Sequence, residues 1–158
     1  MIHDVAFSFI IPTLNEQQWL GATLQALTAA SRKADQILVC DGGSTDATLR
    51  IARENRSVTL IESQRGRARQ LNAALGEATG EIVVFIHADT LISPDILSEA
   101  RRAIDRGRVG GWFPVELIFR PNGTYEALAL KVIQYGINWR TRQFKTATGE
   151  QCLFARRD

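Results

Sequence analysis

With 158 residues, 45% of them apolar, and a formal net charge of +2, the chain is long enough for one domain with a real core. So small a charge argues against a nucleic-acid binder, which would carry a basic stripe, and two cysteines, Cys40 and Cys152, make neither a disulfide framework nor a zinc site. The apolar run at the N-terminus reaches only from Val5 to Pro12, after an acid, so it reads as neither signal peptide nor membrane span. A soluble cytoplasmic protein with buried free thiols is the expectation.

Val5 to Ile11 predicts a buried first strand, with 12–16 as the turn after it. From Glu16 to Ala30, Trp19, Leu20, Leu24 and Leu27 recur at helical spacing. Gln36 to Cys40 is a second buried strand, and Asp41-Gly-Gly-Ser-Thr-Asp46 a tight loop in which Ser44 or Thr45 can cap the following helix. Val58 to Ile61 gives a third strand. Gly66 to Ala78 reads as a helix with Ala68, Leu71, Ala74 and Leu75 inward. Glu81 to Ile86 is the fourth strand, and Ser93-Pro94 caps and starts a helix to Arg106. Arginines 101, 102, 106 and 108 are assigned to solvated surface.

Strands alternating with helices of this length imply an α/β fold: a mainly parallel sheet flanked by helices with right-handed crossovers, in a single domain spanning 1–158. Within it, 1–108 and 109–158 read as two halves. After Gly110-Gly111 the pattern weakens. Trp112 to Phe119 suggests an edge strand, because Pro114 cannot donate to a central one. Tyr125 to Asn138 is amphipathic, with Tyr125, Leu128, Val132, Ile133 and Trp139 on one face and a break at Gly136. Such a face packs in a core or, flanked by Arg140, Arg142 and Lys145, rests on a membrane surface. A last short strand covers Cys152 to Ala155.

Three loops that follow strands of one sheet should emerge along one edge, bringing Asn15 and Glu16, then Asp41 and Asp46, then His87 and Asp89 together. Gly42 and Gly43 let the backbone approach a ligand closely. No Walker loop and no Gly-x-Gly-x-x-Gly follows the first strand, which argues against ATP hydrolysis and dinucleotide redox chemistry. Acids at strand ends, with Arg65 to Arg69 opening a helix, suit a nucleotide diphosphate with its metal. The arginines and helix N-terminus would face phosphate oxygens. Asp46, before a helix, is assigned to helix-terminal bonding rather than to a ligand.

The strings Ile10-Ile-Pro-Thr-Leu-Asn-Glu16, Val39-Cys-Asp-Gly-Gly-Ser-Thr-Asp46, Gly66-x-Ala-Arg-Gln-Leu-Asn72 and Phe85-Ile-His-Ala-Asp89 resemble the ordered motifs of family 2 glycosyltransferases. That resemblance implies a GT-A (Rossmann-like) fold and hexosyl transfer from a nucleotide-sugar, commonly UDP-linked, to the hydroxyl of a small-molecule or lipid-linked acceptor. It places Asp41 at the uracil edge and Pro12, Thr13 and Glu16 along the nucleoside pocket. Gly43, Arg65, Arg69, His87 and Ala88 complete the donor-binding set. Asp89 matches the second acid of the metal motif, bridging Mn2+ or Mg2+ to the diphosphate. His87-Ala-Asp-Thr90 and Thr148-Gly-Glu-Gln-Cys-Leu-Phe-Ala-Arg-Arg157 resemble a bacterial subgroup associated with arsenosugar biosynthesis. A peripheral position at the inner membrane face would fit a lipid-linked acceptor.

Two departures stand out. His87 replaces the usual first Asp of the metal motif; an imidazole can ligate Mn2+, hydrogen-bond a ribose or simply cap a backbone carbonyl. Inverting members also carry a catalytic base in an acidic motif downstream of a segment like 149–157, and no such motif follows here. Glu150 is the only acid near and is the candidate base. The chain is therefore expected to be a fold incomplete at its C-terminus. Its rival readings are a catalytically inactive nucleotide-sugar-binding module and a nucleotidyltransferase, although 12–16 lacks the Gly-rich basic loop the latter needs.

Overall fold

The computed structural model of the protein describes residues 5–114, 116–117, 124–145 and 152–157. In chain order its elements are β1 (Phe7–Thr13), α1 (Leu20–Ala30), β2 (Gln36–Asp41), α2 (Thr48–Glu54), β3 (Val58–Glu62), α3 (Arg67–Glu77), β4 (Ile82–Phe85), α4 (Pro94–Asp105), β5 (Gly110–Trp112), α5 (Thr124–Phe144) and β6 (Leu153–Arg156). The strands make a six-stranded sheet in the order β3-β2-β1-β4-β6-β5. β1 pairs parallel with β2 and β4, and β2 with β3, as the alternation of strands and helices required. Two compact units result: Met1–Gly111 with Phe154–Asp158, and Trp112–Leu153.

In the first unit β1 is covered on both faces, which is why its sequence is apolar without alternation. Ile10, with Leu38, Cys40 and Val83, packs against Ala74 and Ala78 from the α3 side. On the opposite face Phe7 meets Phe9 edge to face at 5.7 Å, and the guanidinium of Arg101 lies 4.0 Å from the Phe7 ring centre. Arg101 was expected at the surface and is instead buried. It donates to both carboxylate oxygens of Asp35, at 2.7 and 2.9 Å, and to the Val5 carbonyl. Asp35 in turn accepts from the amides of Phe7 and Arg32. A buried cation persists only when so matched, and this partner lies 66 residues away, beyond any local pattern. Arg102, Arg106 and Arg108 are exposed as expected.

Gly80 marks a close crossing: a Cβ there would come within 2.6 Å of the Phe7 backbone. Ser93 caps α4 by accepting from the Ile96 amide, with Pro94 as the first helical residue. Gly110 and Gly111 lie against Phe154, and a Cβ on either would come within 2.8 Å of it. Cys40 and Cys152 are buried free thiols.

In the second unit the expected strand over 112–119 is not formed as such. β5 ends at Trp112, ahead of Pro114, while 115 and 118–119 lie outside the described residues. α5 runs through Gly136 without interruption. Gln134 accepts from the Leu117 amide at 2.9 Å, and Trp139 meets Phe144 edge to face. Leu128, Val132, Ile133 and Trp139 are exposed, so the core reading of that helix face fails.

Candidate functional site

The strand order reverses beside β1: β2 and β3 lie to one side, β4 to the other. Ligands of open α/β sheets collect outside the carboxyl ends of strands at such a reversal. Pairing lengths open the crevice. β1 stays paired with β2 as far as Thr13 and Asp41, whereas its pairing with β4 ends at Ile10 and Phe85, where Ile86 N donates to Ile10 O. Pro12 therefore sits where β1 has outrun β4. The two chains part, one carrying Thr13 to Glu16 and the other His87 to Asp89.

On the β2 side two loops are laced together. Ser44 Oγ accepts from the Asn15 amide and Asn15 Oδ1 from the Thr45 amide, each at 2.9 Å. Thr48 Oγ1 accepts from the Glu16 amide, Asp46 Oδ2 from the Gln17 amide, and Gln17 Oε1 from the Ala47 amide. α1 proper starts at Leu20 rather than at the expected Glu16, after a turn in which the Trp19 and Leu20 amides both donate to the Glu16 carbonyl. The bonds between the two loops tie that turn to 44–48. They also occupy Ser44 and Thr45, neither of which caps α2; Ala47 precedes that helix without a side-chain cap. Asp46 accepts from the Thr48 amide and hydroxyl, in the helix-terminal role expected of it.

Asp41 is 1% exposed. Its carboxylate accepts from the Thr13 and Ser44 hydroxyls and from the Gly43 and Ser44 amides, which fills about four lone-pair sites. Gly43 takes a φ of +94° to present its amide, a conformation glycine adopts freely.

α3, which follows β3 and packs on β1 and β2, brings its N-terminus to the crevice. Gln70 and Ala74 are buried and Leu71 half-buried, with exposed Arg67 one turn before them, whereas the expected inward positions Ala68 and Leu75 are exposed. A glutamine at a buried position displaced the apparent phase. Gln70 is buried under Gly42, and its amide nitrogen donates to the carbonyls of Thr13 and Cys40, at 2.7 and 2.8 Å. One side chain thus ties α3 to the ends of both β1 and β2. It was not singled out from the sequence, although the spacing 67, 70, 71, 74 marks one helix face; Arg67 was expected only as one of the arginines, 65 to 69, that open the helix. Arg67 Nη2 lies 2.9 Å from His87 Nδ1 and 3.3 Å from Nε2. A guanidinium only donates, and both ring nitrogens lie within its reach, so either one without its proton can accept.

Arg69 donates to Gln64 Oε1, and Arg65 is exposed in the loop before the helix. The first turn of α3 holds no acid and Gly66 provides no side-chain cap. Arginines there oppose the helix dipole at a cost of about 0.3–1 kcal/mol each, which an anion at the crevice would reverse. Ala88 is buried and its carbonyl accepts from Thr23 Oγ1 at 2.6 Å.

Asp89 is exposed at the crevice and Glu16 is half-buried. Burial pushes the Glu16 carboxyl above its ordinary value, and the charges of Asp89 and Asp46 push it further. Burial pushes Asp46 up as well, but the hydroxyl and amide of Thr48 and the amide of Gln17 outweigh that and hold it below the ordinary value. Repelling carboxylates beside exposed arginines suit a cation and an anion bound together. Among the described residues no three ligating side chains cluster. Mg2+ and Mn2+ fit such a donor set when phosphate oxygens and water complete the shell. Glu150 lies outside the described residues.

The model of the family described as glycosyl transferase family 2 matches residues 8–158. A poly(ribitol-phosphate) beta-N-acetylglucosaminyltransferase of Staphylococcus aureus is 32% identical over 107 residues, covering 63% of this chain and 19% of that protein. The crystal structure of residues 1–349 of that S. aureus protein in complex with UDP-GlcNAc superposes with a TM-score of 0.59 at 26% identity, over 74% of this chain and 37% of the other. A mannosyltransferase from Pyrobaculum calidifontis in complex with GDP-Man and Mn2+ gives a TM-score of 0.65 at 29% identity, over 94% and 44%. The chain spans a fifth to just under half the length of the first relatives it matches. Its fold is GT-A-like.

Proposed function

Because the chain belongs to glycosyl transferase family 2, we propose that its crevice binds the diphosphate of a nucleotide-sugar, specifically a UDP-sugar, for transfer of the sugar to an acceptor hydroxyl. The observation that carries this reading is the pairing of opposite charges at the strand reversal. Glu16 and Asp89 repel one another across the parted ends of β1 and β4, while Arg67 reaches His87 from an uncapped helix N-terminus. The UDP-GlcNAc and GDP-Man held by its relatives are ligands of that class.

In this reading Asp89 holds a divalent cation, which when bound supplies neutralising charge to the leaving diphosphate. Glu16 lines the nucleoside pocket and shares the cation's field. Arg65, Arg67 and Arg69 take the phosphate oxygens, with the α3 amides behind them. Asp41 meets the base edge only by exchanging a bond now made to Thr13 or Ser44, while Gly43 and Pro12 shape the wall around it. Transfer breaks the bond from the anomeric carbon to the phosphate oxygen and makes one to the acceptor oxygen. With inversion, the acceptor's proton passes to a base, a role proposed for Glu150. The arsenosugar subgroup is the narrower proposal, carried by His87-Ala-Asp-Thr90 and the string from Thr148 to Arg157.

Thermal-shift measurements with UDP, GDP, CDP and ADP, each with and without Mn2+, test the donor site. UDP with Mn2+ should stabilise the protein by about 2.7 kcal/mol at a hundredfold excess over Kd, and Asp89→Asn should abolish the metal-dependent part while leaving the ligand-free protein within about 0.5 kcal/mol. If no nucleotide shifts the protein with Mn2+ present, the donor reading is wrong. Binding without sugar transfer would favour the inactive nucleotide-sugar-binding module.

A further inference from the structure

α5 has an apolar stripe turned outward. Leu130, Gln134, Ile137 and Asn138 are half-buried and Thr141 is buried, which defines its inward side. Opposite them, at intervals of four, three and four residues, stand Leu128, Val132, Tyr135 and Trp139, which are 61, 63, 73 and 52% exposed. At 3.6 residues per turn these four fall on one line along the helix. Ile133 lies off that line.

The flanks of the stripe are basic. Lys131 and Arg142 border one side, Arg140 the other, and Lys145 follows the helix. The only acid in α5 is Glu126, in its first turn and away from the stripe. A groove along one flank is lined by Lys131, Tyr135, Asn138, Trp139 and Arg142, offering two cations and two aromatic rings side by side.

We propose that this face of α5 is a docking surface for an anionic lipid bilayer, lying in the interface plane. Apolar side chains with an aromatic pair suit the boundary between headgroups and acyl chains, and lysine and arginine at the border meet anionic headgroups. Among the described residues no helix is long and apolar enough to cross a membrane, so the geometry is one of resting, not spanning. Charge decides against a second copy of the chain as the occupant. Two such faces brought together would set Lys131, Arg140 and Arg142 against their like, with no acid on the stripe to compensate. The inference does not rest on the donor-site reading.

Flotation of the full chain with phosphatidylcholine vesicles, with and without phosphatidylglycerol, tests it. At low salt the protein should rise only with the anionic vesicles and leave them as salt is added, because exposed charges are screened. Val132→Glu and Trp139→Glu should each lower the partition coefficient tenfold or more. Lys131→Ala and Arg142→Ala should each lower it about fivefold. All four sites are exposed, so circular dichroism and the thermal transition should not change. No flotation, equal flotation with neutral vesicles, or an unaltered Val132→Glu protein would each overturn the proposal. So would a dimer, seen by light scattering, that Val132→Glu dissociates. A UDP-dependent thermal shift that persists in Val132→Glu would show that the donor site and this face are separate properties.

Discussion

The two sides of the crevice solve opposite problems. On the β2 side Asn15, Gln17, Asp41, Ser44, Asp46 and Thr48 all bond to one another or to backbone amides across two loops. Their polarity is consumed in fixing loop shape. At the α3 N-terminus and in the loop after β4, Arg65, Arg67, Arg69 and Asp89 are exposed, and the helix end behind the arginines has no acid to balance it. One side is a rigid mould and the other carries the charge. Ligand sites need both, since charged groups position a reactant only when their support does not yield.

The contrast is most easily broken at Asp41. Asp41→Ala leaves two hydroxyls and two amides without their acceptor in a part-buried loop, and should lower stability by about 3 kcal/mol. Asp41→Asn should fall between that variant and the wild type, because its amide nitrogen would face donors. Urea unfolding of the three proteins measures this. A loss below about 1 kcal/mol for Asp41→Ala would mean that the β2 side is not the mould described.

Gln70 joins the mould to the charged side, so its replacement probes how far one depends on the other. Gln70→Leu keeps the bulk beneath Gly42 but removes the amide that donates to the Thr13 and Cys40 carbonyls, leaving Thr13 only its bond from the Gly42 amide, at a cost of about 1 kcal/mol. Faster hydrogen exchange of the Gly42 to Ser44 amides should accompany it, with exchange in β1 unchanged. Uniform acceleration throughout the unit would instead mark plain destabilisation.

Gln70 also shows where sequence reading reaches its limit. The strands were legible because β1, β2 and β4 are buried on both faces and read as unbroken apolar runs, and α4 because Ser93-Pro94 announces it. The inward side of α3 was misplaced because a polar residue holds a core position. What makes that acceptable, two carbonyls at the ends of other strands, lies 30 and 57 residues away. The burial of Arg101 has the same cause, a partner 66 residues distant. Asn15, Glu16, Asp41, Asp46, His87 and Asp89 stand at or just past the ends of parallel strands and so lie along one sheet edge, which topology alone dictates. Which of them faces the crevice and which is consumed in the mould depends on bonds that no local pattern encodes. Arg67, not Arg69, meets His87, and Asp41 arrives already saturated.

The subtlest test concerns Glu16, the one acid that touches both sides: its amide is held by Thr48 while its carboxyl feels Asp89. Burial first, then Asp89 and Asp46, raise its native-state value above that of the unfolded chain. The native protein therefore binds more protons than the unfolded one between the two values, and stability falls as pH rises through that window. Its contribution is complete below the unfolded value and gone above the native one. Glu16→Gln cannot titrate, so the urea midpoint of the wild type should drop relative to the variant across the same window, then run parallel to it. Asp89→Asn removes the second-largest cause and should narrow the window without closing it, since burial remains. Saturating Mn2+ should narrow it further, because a cation at Asp89 favours the charged form of Glu16 and releases its proton. If Mn2+ leaves the window unchanged while nucleotide still binds, the cation does not sit between these two carboxylates, and the charged side of the crevice works through its arginines alone.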